Sequence, residues 1–375
     1  DTHNRANPTD PHLELSSRTA NVKQSLKLPA AYWIVAAPGT LQSPLVTRSI
    51  SIVVLLMLIS GCGDFDRTAR PNIILISMDT TRADHLGCYG HDGIRTPAID
   101  SLASTSVRYE RCYAPVPITL PSHTSMLSGQ YPIRHSVRDN GTFTVPAQVP
   151  TLATILGDRG WRTIGVIGAF PLSERFGFAR GFEDWNEDFT TRPQDLLPLA
   201  FDQRTAEQVT SEALRQIDND RDRPFFLFVH YYDPHRPWTA PALFGRRYRG
   251  SPYLAEIAYT DMAIGRLLNG LRERGHLENA IVVLTADHGE GLGDHEEATH
   301  SYLVYDETTR VPFLLSGPGI NPGVVRTPVS LVDIAPTILD LVNVEPPTVM
   351  DGRSLLGPQP PDRPVFVESL AGRLH

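Results

Sequence analysis

The sequence predicts an α/β fold with a mostly parallel central sheet and helices on both faces. Three observations lead to it. Short apolar, β-branched runs recur at 72–78, 163–167, 225–229, 280–286 and 311–315, the pattern of strands buried on both sides. Segments with helical start and stop signals lie between them, so strand and helix alternate. Three of the runs pass directly into polar residues, at Asp79, at 230–235 and at Asp287-His288. Such sheets gather their ligands at the carboxyl ends of the strands.

The elements follow in order. The run over 72–78 ends in Asp79-Thr80-Thr81-Arg82. Residues 96–104 read as a helix with Thr96 as cap and Pro97 in its first turn. In Thr119-Leu120-Pro121-Ser122-His123 the proline again marks a first turn. Thr119 therefore heads a helix whose free N–H groups and dipole attract an anion. Residues 151–160 are helical, with Gly160 as the stop. Further helices are expected over 205–217, 253–274 and 331–342, and 364–368 reads as strand-like.

Length and charge bound the rest. The 375 residues carry a net charge of −8, room for one large domain with a deep core. The mild acidity argues against nucleic acid as a partner. Three cysteines, Cys62, Cys88 and Cys112, are too few for a disulfide framework. Residues 1–45 are polar and irregular and read as a leader outside the fold. Residues 46–62 contain Arg48, the apolar run 50–59 and Ser60-Gly61-Cys62, a secretory signal that resembles a bacterial lipobox. A lipidated Cys62 makes the chain an exported periplasmic or cell-envelope lipoprotein, held to a membrane by its lipid anchor only, with 63–70 as tether. The main domain is expected over 71–345. Residues 346–375 are expected to begin a small C-terminal subdomain that is truncated here.

Asp79, Asp287 and His288 offer two carboxylates and an imidazole, and Thr119 can add a fourth ligand. A mixed oxygen and nitrogen set suits one divalent ion, Mn²⁺ or Zn²⁺ before Ca²⁺. Such an ion lowers the pKa of the Thr119 hydroxyl and neutralises a bound oxyanion. His123, His235 and His300 are candidates to bind substrate oxygens or protonate a leaving group. Tyr232, Trp238 and Tyr248, in or beside the loops 173–198 and 237–249, are candidates to line the leaving-group site.

Several stretches resemble a known family. They are 72–79 (NIILISMD), 82–90 (RADHLGCYG), 96–100 (TPAID), 127–132 (LSGQYP), 285–289 (TADHG), 310–313 (RVPF) and 332–337 (VDIAPT). Together they resemble the sulfatases of the alkaline phosphatase superfamily, over residues 71 to about 356. The resemblance implies metal ligands at Asp79, Asp287 and His288 and a nucleophile at Thr119. It also implies a small-molecule, glycan or lipid-linked sulfate or phosphate ester as substrate.

The departures are chemical. The family motif begins with a Cys or Ser that becomes formylglycine; here it is Thr119, whose oxidation would give a ketone. His123 stands for the motif's Arg, Thr80 for a second metal Asp and His288 for an Asn. Gly168-Ala169-Phe170-Pro171 stands where G-K-W-H is expected, and His300 stands for a Lys. These changes resemble the Thr-nucleophile relatives: phosphodiesterases, phosphonate monoester hydrolases and phosphoglycerol or phosphoethanolamine transferases. Hydrolysis with Thr119 as direct nucleophile is the expectation. A transferase and a non-catalytic anion-binding lipoprotein are the alternatives.

Overall fold

The structure, a computed structural model, describes residues 70–189, 202–218 and 223–374. The leader, the signal segment with Cys62 and the tether up to residue 69 lie outside the described residues.

Strands β1 to β11 span Asn72–Met78, Val107–Tyr109, Cys112–Tyr113, Arg162–Val166, Asp184–Asn186, Phe225–Tyr231, Ala280–Ala286, Arg310–Val311, Phe313–Ser316, Gly323–Val325 and Val329–Ser330. Eight of them form one sheet in the order β10-β2-β9-β7-β1-β6-β4-β5. Within it β9 runs antiparallel to β7 and β2, and the other pairings are parallel. The remaining three form a small sheet, β11-β3-β8.

Helices cover both faces, as the alternation of side chains requires. Ile73 and Leu75 of β1, with Phe226, Phe228, Ile281 and Val283 beside them, join a core completed by the helices Thr119–Ser128, Leu152–Gly157 and Ile334–Leu341. Ile74, Ile76 and Met78 face the other way. They join Leu227, Val229, Val282 and Leu284 against the helices Pro97–Ser104, Ala206–Ile217 and Pro252–Glu273. β1 is thus buried on both faces and flanked on both edges, and its carboxyl end at Met78 and Asp79 is fully buried.

Local sequence explains two of the helix starts directly. Thr151 and Thr205 cap their helices through reciprocal bonds with Thr154 and Gln208. The helix expected over 151–160 ends at Gly157, and Gly160 (φ 89°) closes the following turn.

Three expectations need correction. Thr96 does not cap the Pro97–Ser104 helix: its hydroxyl donates to Asp100 and accepts the Gly87 N–H. The cap comes from Asp261, whose carboxylate takes the Ala98 and Ile99 N–H groups at 3.3 and 2.8 Å. The strand expected over 311–315 is split at Pro312, which has no N–H to give. Val311 pairs with Cys112 in the small sheet and Phe313 with Thr285 in the large one. Residues 364–368 are not a strand; the Glu368 N–H donates to the Pro115 carbonyl. The segment after 346 returns to the main body, where Arg363 forks onto the buried Asp333 at 2.6 and 2.7 Å.

Asp261 generates a stability prediction. Burial pushes its carboxyl up to about 7, so it holds a proton more tightly folded than unfolded. Its contribution is complete below the unfolded pKa near 4 and falls as pH rises through about 7. Asp261→Ala is expected to cost about 1–2 kcal/mol, from the lost cap. The gap between wild type and variant should narrow from pH 4 to pH 8 in denaturant unfolding.

Candidate active site

Three adjacent parallel strands deliver the site. β1 lies between β6 and β7, with Ser77 opposite His230 and Thr285. Asp79 follows β1, and Asp287 and His288 follow β7. Their ligand atoms lie within 4.8 Å of one another, all fully buried.

The backbone is bent to achieve this. Thr80 sits at φ 51°, a left-handed conformation that β-branched residues avoid. Its neighbours hold it there: its N–H donates to Asp287 Oδ1 (3.1 Å) and its carbonyl accepts the Tyr253 hydroxyl (2.6 Å). Such strain costs about 1–3 kcal/mol and persists only when the surroundings impose it. Gly289 lets the chain leave the site, since a Cβ there would meet the Glu307 carbonyl at 2.0 Å.

The Thr119–Ser128 helix is buried along its whole length. Its N-terminus does not present the expected row of free N–H groups. Asn140 accepts from Leu120, Pro121 has no N–H, and Ser122 N–H bonds the Ile118 carbonyl. The Ser122 hydroxyl donates to the Asp287 carbonyl at 2.6 Å, locking the helix to the end of β7. One turn past Thr119, His123 Nδ1 bonds the Thr119 carbonyl (2.8 Å) and lies 3.5 Å from Asp287 Oδ2, while Nε2 meets the Ser77 hydroxyl at 2.8 Å. Both ring nitrogens thus have protein partners, and His123 braces Thr119 against Asp287.

His300 and His235 form the other side. The His300 ring centroid lies 4.5 Å from that of His288 and 5.2 Å from that of His235, and the latter stacks on Tyr232 at 4.4 Å. His300 Nδ1 faces the Thr299 hydroxyl (3.1 Å) and Glu290 Oε1 (3.3 Å). Two residues absent from the expected set belong here, His230 and Glu290. His230 Nε2 meets Asp79 Oδ2 at 3.0 Å, and Glu290 is fully buried behind His300. A His within the apolar run FFLFVHY was the available signal for the first.

Burial dominates the electrostatics. It pushes the Asp79 carboxyl up to about 7, with Glu290 adding and His288 opposing. Asp287 is raised by burial and by Asp79. Burial opposes protonation of His288, but Asp287 and Asp79 outweigh it and raise its pKa. Burial takes His123 down to about 3, His230 to about 4 and His235 to about 3, and carries His300 well below its ordinary value.

A divalent cation fits this donor set. Asp79 Oδ1, Asp287 Oδ2 and His288 Nε2 are buried and have no hydrogen-bond partner, one atom from each of the three residues. Two buried carboxylates with orphaned oxygens are unfavourable unless a positive charge joins them.

The sulfatase family model matches residues 71–344. The chain belongs to the sulfatase family. It is 26% identical over 367 residues to the uncharacterized sulfatase YidJ of Escherichia coli (strain K12), covering 80% of this chain and 73% of that one. It is 28% identical over 360 residues to the ulvan-active sulfatase of Formosa agariphila, covering 82% and 70%. The phosphonate monoester hydrolase of Agrobacterium radiobacter has the same fold, with a TM-score of 0.67 at 21% identity over 76% of each chain. Membership makes the chain an ester hydrolase of the alkaline phosphatase superfamily, a family metal-dependent in general.

The metal expectation is measurable directly. Elemental analysis of the purified protein should give one divalent ion per chain. Asp79→Asn, Asp287→Asn and His288→Ala should each weaken its binding by about tenfold or more, and chelation should lower the melting temperature of wild type only. Full metal content in Asp287→Asn would place the ion elsewhere.

Proposed function

We propose that this sulfatase-family protein hydrolyses monoanionic esters, with Thr119 as direct nucleophile and one divalent ion held by Asp79, Asp287, His288 and the Thr119 hydroxyl. The observation that carries the reading is the trio of buried, partnerless donor atoms at the strand ends beside the helix that Thr119 opens. The ion, when bound, supplies positive charge that favours the alkoxide form of Thr119 and offsets the charge of the ester oxygens.

The protein's own groups do the rest. His123 fixes the Thr119 backbone and Asp287 in one rigid unit. His230 orients the Asp79 carboxylate, leaving Oδ1 for the ion. Thr119 Oγ attacks phosphorus or sulfur, and the bond to the leaving oxygen breaks on the opposite side. The His235–His300 side takes the proton that Thr119 sheds and passes it to that oxygen, and Glu290 supports the positive charge on His300 while it holds the proton. Water then attacks the phospho- or sulfo-threonine in line and regenerates the hydroxyl. The aromatic and histidine lining beyond accommodates a glycan or other small-molecule leaving group.

Charge balance favours monoanions. Sulfatases carry Arg and Lys where this chain has His123 and His300, and burial lowers the pKa of both imidazoles. With two carboxylates already opposing one divalent ion, a phosphate monoester dianion is poorly compensated. A sulfate ester, phosphodiester or phosphonate monoester carries one charge and fits.

Thr119→Ala should lower turnover of whichever ester is best by about 10³-fold or more while leaving the fold intact, and Thr119→Ser should retain part of it. Activity should not depend on a formylglycine-generating enzyme in the expression host. Rapid-quench mass spectrometry should find the adduct on the Thr119 peptide. Undiminished activity in Thr119→Ala would assign the attack to a hydroxide instead.

A further inference from the structure

A groove of about 750 Å³ lies along the Pro252–Glu273 helix, and none of its lining residues belongs to the reaction centre. Ala258, Met262, Gly265 and Asn269 fall on one stripe of that helix and form the floor. One wall is Ile94, Arg95 and the start of the Pro97–Ser104 helix. The other is the short helix Ala242–Arg247 with Tyr248 after it. Two contacts hold this second wall in place. The Phe244 ring packs 5.5 Å from that of Tyr259, and the Tyr248 hydroxyl accepts the Arg95 N–H at 3.1 Å. Tyr248, expected beside the leaving group, thus joins the two walls of this groove instead. The volume is that of a small-ligand pocket.

The groove is amphipathic. Leu243 is 66% exposed and Met262 36%, and both line the same concavity, with Phe244 and Pro97 adding to its apolar surface. Large apolar side chains gathered in one concave site, rather than scattered singly, mark a place where something binds. Two cations meet at Tyr248: Arg95 through the backbone bond already described, and Arg247 with its guanidinium 5.6 Å from the ring centre. Among the described residues neither guanidinium has a carboxylate partner. The acidic residues of the lining are engaged. Asp261 caps the Pro97–Ser104 helix, and Asp100 accepts the Cys88 N–H at 2.8 Å and the Thr96 hydroxyl at 3.0 Å. The third cation, Arg266, is paired with Glu207 at 2.7 Å. The charge of the wall segment is one-sided as well. Between Asp233 and Glu256 the chain carries Arg236, Arg246, Arg247 and Arg249 and no acidic residue, in a protein of net charge −8.

We propose that this groove binds a single-chain amphiphilic anion of the fatty-acid class, with its carboxylate between Arg95 and Arg247 and its alkyl chain over Met262 and against Leu243 and Phe244. A neutral apolar ligand would leave both cations without an anion, and a small polar anion would leave the apolar surface in water. The site is separate from the metal centre and does not depend on the hydrolase reading.

The test is binding, followed by calorimetry. Decanoate, propanoate and decyl glucoside are titrated into the metal-loaded protein below their micelle-forming concentrations. Decanoate should bind about tenfold or more tightly than propanoate, which keeps the charge, and than decyl glucoside, which keeps the chain. The double variant Arg95→Ala with Arg247→Ala should lose the preference over decyl glucoside. If it does not fold, Arg247→Glu alone should reduce the same preference. Met262→Trp, which fills the floor, should weaken decanoate and decyl glucoside alike. Folded Asp287→Asn should bind decanoate as the wild type does, which separates the groove from a carboxylate taken up by the metal. Equal binding of decanoate and decyl glucoside overturns the proposal, as does a preference that survives the double variant or is lost in folded Asp287→Asn. Binding to phosphatidylglycerol vesicles with none to decanoate also overturns it and assigns the face to a membrane surface. Ester hydrolysis should be unchanged in the arginine variants, so failure of the groove leaves the hydrolase reading standing.

Discussion

Two carboxylates, Asp79 and Asp287, are buried together at the ends of neighbouring parallel strands, and the surrounding structure is arranged to tolerate them. Like charges this close in a medium of low dielectric are strongly unfavourable. The protein answers with aimed donors. Thr80 N–H and His288 N–H both bond Asp287 Oδ1, at 3.1 and 2.8 Å, and His230 bonds Asp79 Oδ2. Each arrangement has a cost in backbone freedom: Thr80 is forced left-handed, and residue 289 must be glycine. These donors leave one oxygen on each carboxylate without a partner, facing His288 Nε2. The polar shell is thus complete except toward the position a cation would take.

That constraint explains why an entirely buried helix carries the nucleophile candidate. The Thr119–Ser128 helix is held by its polar residues as well as its apolar ones, with Ser122 on the Asp287 carbonyl and His123 on Ser77. Thr119 is thereby tied to both carboxylate-bearing strands, β7 through Asp287 and β1 through Ser77. A loop could not place a hydroxyl with this precision, because its free energy of opening is small.

The sequence disclosed the strands and the residues that follow them, because an apolar run ending in Asp is a local pattern. Asp79, Asp287 and His288 were legible for that reason. What stayed hidden depends on strand order. Only when β1 lies between β6 and β7 does His230 face Asp79, and nothing local to 225–231 says which strand is its neighbour. Asp261 is the same kind of case: it caps a helix more than 160 residues away in sequence, while Thr96, the locally obvious cap, bonds elsewhere. Pro312 could have been read as a break in its strand, since a residue without an N–H seldom sits inside a sheet. That the Leu120 N–H is already taken was not readable at all, because Asn140 reaches it from a separate loop.

The family fixes the framework and leaves the reacting element open. On the proposed reading, the difference between sulfur and phosphorus lies in the second half of the reaction. A formylglycine hydrate releases sulfate by collapsing to an aldehyde, using its second hydroxyl. Thr119 has one hydroxyl and no such route, so its ester must be cleaved by water attacking the central atom. At phosphorus this is an ordinary in-line displacement, assisted by the same charges that assisted the first step. At sulfur the bound group carries the same single charge as a phosphodiester, so the difference lies in the missing hydrate route and not in the charge the site must offset. On that proposal, phosphodiesters and phosphonate monoesters suit both half-reactions, whereas a sulfate ester suits the first better than the second.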